Sequence, residues 1–86
     1  MALTAPTIHL NGTSKESLLE SVVTARESCR AFMKDLGELY PNARDYYPQG
    51  ADAIRKATEE HRRRFAALDA IHCELGDMAE AIVAQP

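Results

Sequence analysis

The sequence predicts an all-α protein: an antiparallel helical hairpin of two long helices with a short extended N-terminal arm, assembling into an oligomeric helical bundle. Three observations predict it. Leu18, Val22, Ala25, Cys29, Phe32, Leu36 and Leu39 recur at alternating spacings of four and three. Ile54, Thr58, His61, Phe65, Leu68, His72, Leu75, Ala79 and Ile82 repeat that alternation. A segment with two prolines and a glycine, residues 41–50, separates the two runs. Each run is a seam of core positions on one helix, and two seams joined by a short connection fold back on each other.

The elements follow in order within a single domain. Residues 1–12 read as an arm. Pro6 blocks a helix, Thr7-Ile8-His9-Leu10 alternates like an extended piece, and Asn11-Gly12 marks a turn. Thr13 with Glu16 fits a capping box, so a first helix is expected over 13–40, stopped by Pro41. Residues 41–50 form the loop, with Pro48 an alternative opening for the second helix, which is expected over 51–84. Gly76 inside that helix costs up to ~1 kcal/mol relative to alanine.

A register is also expected. Leu36 faces Ile54, Cys29 faces His61, and small Ala25 faces large Phe65, the interdigitation a tight core requires. Beside the seams, Leu19, Arg26, Met33 and Tyr40 line one side of the first helix. Ala57, Arg64, Ile71 and Met78 line one side of the second. These stripes are expected on opposite flanks, where neither covers the other. Two helices bury too little surface to offset chain entropy, so further copies of the chain are expected against the flanks.

Composition sets the outer limits. The chain has 86 residues, 10 Lys+Arg against 13 Asp+Glu, and a net charge of −3, which disfavours a duplex-DNA binder. No apolar run approaches the roughly 20 residues of a membrane span, and no signal-peptide pattern opens the sequence, so no membrane partner and a cytoplasmic location are expected. Cys29 and Cys73 stand outside any CxxC or CxxH pair, so no metal and no cofactor is expected, and the thiols read as reduced. No nucleophile, base and orienting group assemble into a set, so an enzyme is not expected.

Several residues carry possible binding chemistry. Arg26 and Arg64 interrupt apolar stripes and require an anion, from a carboxylate of another copy or from a phosphate-bearing ligand. His61 opens the densest positive cluster, His61-Arg62-Arg63-Arg64, although Glu59 and Glu60 stand at helical spacing to neutralise Arg63 and Arg64. His61 also reads as a polar seam residue that fixes register. Tyr46 and Tyr47 beside Arg44 either stack on a nucleobase next to a phosphate contact or plug the end of the hairpin. Thr13 and Ser14 supply hydroxyls and free N–H groups at a helix start, as a plain cap or as an anion site. That helix is ~40 Å long, so Thr13 and the tyrosine loop share a ligand only across antiparallel chains.

The segments Ile8-His-Leu-Asn-Gly-Thr-Ser14, Pro41-Asn-Ala-Arg-Asp-Tyr-Tyr-Pro-Gln-Gly50 and Glu60-His-Arg-Arg-Arg64 resemble a group of small bacteriophage and prophage proteins. At the level of size, hairpin form and interface arginines, the chain is also similar to phage sponge proteins, which sequester the cyclic nucleotide signals of bacterial defence systems such as CBASS and Thoeris. The resemblance implies a non-enzymatic homo-oligomer in the host cytoplasm that holds a cyclic nucleotide or other phosphorylated signal between subunits. From this chain's own residue chemistry, and not by transfer from those proteins, Arg26, Arg44 and Arg64 are expected to neutralise phosphate, Tyr46 and Tyr47 to stack on a base, and Thr13, Ser14 and His61 to complete the contacts. The alternative is a small structural or interaction protein that docks on a phage or host protein.

Overall fold

The computed structural model describes residues 3–86; the first two residues of the expected arm lie outside them. Helix α1 runs from Lys15 to Gly37 and helix α2 from Ala53 to Val83, and the described residues contain no strand. The two helices pack side by side and antiparallel in an elongated layer of 61 × 23 × 17 Å. The radius of gyration is 18.5 Å, against about 12 Å for a compact chain of this length.

The cap of α1 is one residue later than expected. Ser14, not Thr13, accepts from the backbone N–H of Ser17 at 3.1 Å. Glu16 remains in the first turn, where a carboxylate complements the helix dipole. The α-helical pattern stops at Gly37, short of the expected Tyr40. The N–H groups of Leu39 and Tyr40 reach back only three residues, to Leu36 and Gly37. Pro41 disfavours a helical conformation at Tyr40, so the last turn tightens and then ends.

The connection forms two short 3₁₀ turns, Ala43–Asp45 and Tyr47–Gln49. Asn42 caps the first by accepting from the N–H of Arg44 at 3.0 Å. Pro48 lies inside the second turn and does not open α2. Gly50 has φ +108°, a backbone setting that side chains rarely tolerate, and it redirects the chain into α2.

The expected arm has no strand, but it is pinned at the open end of the hairpin. The Gln85 side chain accepts from Ile8 N–H and donates to the Pro6 carbonyl, both at 2.8 Å. The Lys15 ammonium donates to the carbonyls of Val83 and Gln85, which are free at the C-terminus of α2. A turn closed by Gly12 N–H on the His9 carbonyl leads into α1.

The register differs from the expected one. The Cys29 thiol donates to the carbonyl of Leu68, one heptad beyond His61, and Arg26 Nε donates to the carbonyl of His72. Tyr40, not Cys29, meets His61, ring edge to ring face at 5.2 Å and 73°. Phe65 therefore does not face Ala25, and Leu36 does not face Ile54. The cause lies at the two ends. The Lys15 and Gln85 contacts set the start of α1 level with the end of α2. Because α2 is 31 residues and α1 only 23, α2 overshoots at the loop end, and the loop folds back along its first turns.

Helix α1 is also rotated from the expected orientation. Val22, Arg26, Cys29, Met33, Leu36 and Tyr40 face α2, while Ala25, Phe32 and Leu39 are exposed. The buried residues are Val22, Leu36, His61 (5 % exposed) and Ile82 (fully buried). Arg26 and Tyr40 of the first stripe turn toward α2 and the second face, away from Arg64, and the seam residues Phe32 and Leu39 turn outward in their place. Phe32 and Leu39 of α1 lie on the same broad face as Ala57, Arg64, Ile71 and Met78 of α2. Gly76 lies under Arg26: a Cβ there would stand 3.2 Å from Arg26 Nε, a tight approach that the exposed arginine would have to shift a few tenths of an ångström to relieve.

Candidate functional site

The overshoot of α2 creates a concavity at the loop end. The end of α1 (Leu36, Leu39), the loop (Pro41, Tyr46, Gln49) and the first turns of α2 enclose about 580 Å³. Lys56, Ala57, Glu60, His61 and Arg64 form its α2 wall. Three residues singled out in the sequence, Tyr46, His61 and Arg64, converge here. Tyr46 is half-buried and lines the cavity, whereas Tyr47 is 75 % exposed and Arg44 is exposed nearby on the same loop.

Charge in the cavity is balanced. Lys56 and Arg64 stand against Asp52 and Glu60. Asp52 is 3.8 Å from Arg55, and Glu60 is 3.8 Å from Arg64, one helical turn along. These pairs are exposed and weak, so both carboxylates can yield to a competing anion at small cost. Glu59 pairs with Arg55 at 3.3 Å, not with Arg63 as its spacing allowed, which leaves Arg63 without a carboxylate among the described residues. His61, 5 % exposed, lines this cavity and also borders a second, apolar concavity of about 560 Å³ with Gly37, Tyr40, Arg62 and Phe65.

The other candidates lie elsewhere. Arg26 sits mid-hairpin on the opposite face, in a shallow hollow of about 390 Å³ with Val23, Glu27, Arg30, His72 and Glu80. Its guanidinium pairs with no carboxylate within 4.0 Å among the described residues and donates to the His72 carbonyl at 3.4 Å. Ser14 is committed to its cap, and Thr13 is exposed beside it at the far end of α1, about 35 Å from the loop. One chain therefore cannot bring Arg26, Thr13 and Ser14 to the cavity that Tyr46 and Arg64 line.

Lys56 was not anticipated from the sequence. Lys56 did carry a signal, because Lys56, Glu60 and Arg64 repeat every four residues and so stack along one helix face. Gln49 stands on the loop beside Tyr46 and Tyr47, and its place in the cavity wall depends on how that loop turns. Gln85, the residue that pins the arm, has no local signature.

No helix is long and apolar enough to cross a membrane, and among the described residues no group of three His, Cys, Asp or Glu side chains could hold a metal ion. No family model, curated protein or solved structure matches the chain.

Proposed function

We propose that this chain is a non-enzymatic oligomeric binding protein of phage origin that sequesters a phosphorylated, cyclic nucleotide-type signal. The loop-end cavity carries the reading. Its volume, about 580 Å³, lies in the range of small-molecule sites. It places an aromatic ring, Tyr46, within one enclosure with Lys56 and Arg64. A ring face suits a base, and an ammonium with a guanidinium suits phosphate oxygens. Arg44 on the adjoining turn adds a further exposed cation. Sequestration needs no bond to break: a site that holds the signal removes it from its receptor by mass action. The resemblance of the Arg44–Gly50 loop string and the Glu60–Arg64 string to phage proteins bears on the phage origin alone.

Thermal melting with a panel of cyclic di- and trinucleotides and cyclic ADP-ribose isomers tests it. A ligand at a hundred times its Kd adds about 2.7 kcal/mol, which raises the midpoint of a chain this size by on the order of 10 °C. Tyr46→Ala and Lys56→Ala should each reduce that rise while the unliganded midpoint stays nearly constant. A panel that moves nothing at high excess rejects the sequestration reading.

The second reading is an interaction protein that docks on a phage or host protein. The exposure of Phe32 (55 %), Ile71 (50 %) and Leu39 (72 %) on one face favours it. It is distinguished by a chain that stays monomeric alone and gains no stability from any nucleotide.

A further inference from the structure

The face that carries Phe32, Leu39 and Ile71 also carries Ala25, Ser28 and Ala67, so large and small side chains alternate across it. We propose that a second copy of the chain covers this face, with the two hairpins stacked loop end to loop end, so that α1 of each copy lies across α2 of the other. This rests on the oligomeric part of the proposed function and adds to it the face, the orientation and a wall of the site.

Area is the first argument for a second copy. The chain exposes 6631 Å², against roughly 5,000 Å² for a compact monomer of its mass. The face runs the ~35 Å length of α1 across a layer 23 Å wide, a footprint of roughly 800 Å². A stable protein–protein interface takes roughly 800 Å² from each partner.

Self-complementarity is the second argument. The Cys29–Leu68 and Arg26–His72 bonds fix which residues of α1 and α2 stand level along the hairpin. A two-fold axis along the long direction exchanges α1 and α2 at constant level. Phe32 of one copy then meets Ala67 of the second, and Ile71 meets Ala25, large against small. Asp35 stands level with Arg64 of the second copy, so opposite charges meet at two symmetric places. Every neighbouring pair of helices in the four-helix stack is antiparallel. The other isologous stacking, loop ends apart, lays α1 on α1, and Asp35 then never meets Arg64.

The arrangement completes the site. Leu39, Ala57 and Arg64 of the loop-end cavity belong to this face. The second copy's α1 end, with its Asp35 and Leu39, closes the cavity's open side. Arg64 is then held between Glu60 of its own chain and Asp35 of the second copy, with its remaining N–H donors aimed into the cavity.

Cysteine cross-linking in a Cys29→Ser, Cys73→Ser background tests this without any ligand. An equal mixture of Phe32→Cys chains and Ala67→Cys chains should oxidise mostly to a species of doubled mass, and each chain alone should not. Ala25→Cys mixed with Ile71→Cys, a second pair at the same level, should behave alike and covers the case in which Phe32→Cys weakens folding. Self-linking of Phe32→Cys or Ala25→Cys in preference to the mixed product overturns the orientation. Absence of any link in both mixtures, with an oligomeric mass in solution, overturns the face. A monomeric mass overturns both and leaves the face to a different protein. A failed nucleotide panel leaves the cross-linking result untouched, so the two proposals fail separately.

Discussion

The two broad faces of the hairpin are built from the same two helices and differ in almost every respect. One face carries Phe32, Leu39 and Ile71 among Ala25, Ser28, Ala57 and Ala67, with Arg64 near its loop end. The other carries Glu20, Glu27, Arg30 and Lys34 from α1 and Glu59, Arg62, Asp69 and Glu80 from α2. On that second face Tyr40 and Phe65 share one small apolar hollow with Arg62 and Asp69, and Val23 stands beside Glu27 and Arg30. A rotation of α1 separates the faces: turning Phe32 and Leu39 out of the seam brings them beside Ile71. Phe32, Leu39 and Ile71 are thereby gathered on one face, the surface proposed above to take a second copy.

The largest way to break that asymmetry is to charge the apolar face. Phe32→Glu with Ile71→Glu should weaken self-association by on the order of a hundredfold or more in sedimentation equilibrium, since buried apolar anchors dominate such interfaces. The charged face supplies the control, where Arg30→Ala should leave the association constant unchanged. Next comes the core between the faces. Ile82 is fully buried, and Ile82→Ala should cost about 2–5 kcal/mol in denaturant unfolding, without regard to which face is covered.

A smaller effect is expected at the open end. Gln85→Ala removes both bonds to the arm at Ile8 and Pro6. Each is worth about 1 kcal/mol, and amide exchange at Ile8 should accelerate while exchange within α1 and α2 does not. Ser14→Ala should cost ~1 kcal/mol through the lost cap to Ser17. Smallest is Arg55→Ala on the charged face. Its pairs with Asp52 and Glu59 are exposed, and its removal should shift stability by less than about 0.5 kcal/mol.

The hairpin itself was legible because seam spacing, a capping serine and prolines are local signals. Register and rotation were not. Several four-and-three series can be drawn through α1, and the one through Phe32 is the more apolar. The series through Arg26 faces α2 instead, where the arginine lies over Gly76 and the His72 carbonyl accepts from it. Gln85, nearly eighty residues from Ile8 in sequence, fixes the open end, and no local pattern announces such a bond.

The candidate site was half legible. Tyr46, His61 and Arg64 were singled out and converge, because the loop turns back over α2. Thr13, Ser14 and Arg26 were singled out by chemistry alone and lie elsewhere. The extra length of α2 beyond α1 makes the cavity, and that length difference appears only once the register is known.

Sedimentation velocity on the unmodified chain, at tens of micromolar and without ligand, tests the central claim most directly. The account predicts a species of twice the 9.5 kDa chain mass, or an even multiple of it, reduced to the single chain by Phe32→Glu with Ile71→Glu. A fully helical chain that sediments as a monomer of 9.5 kDa would contradict it.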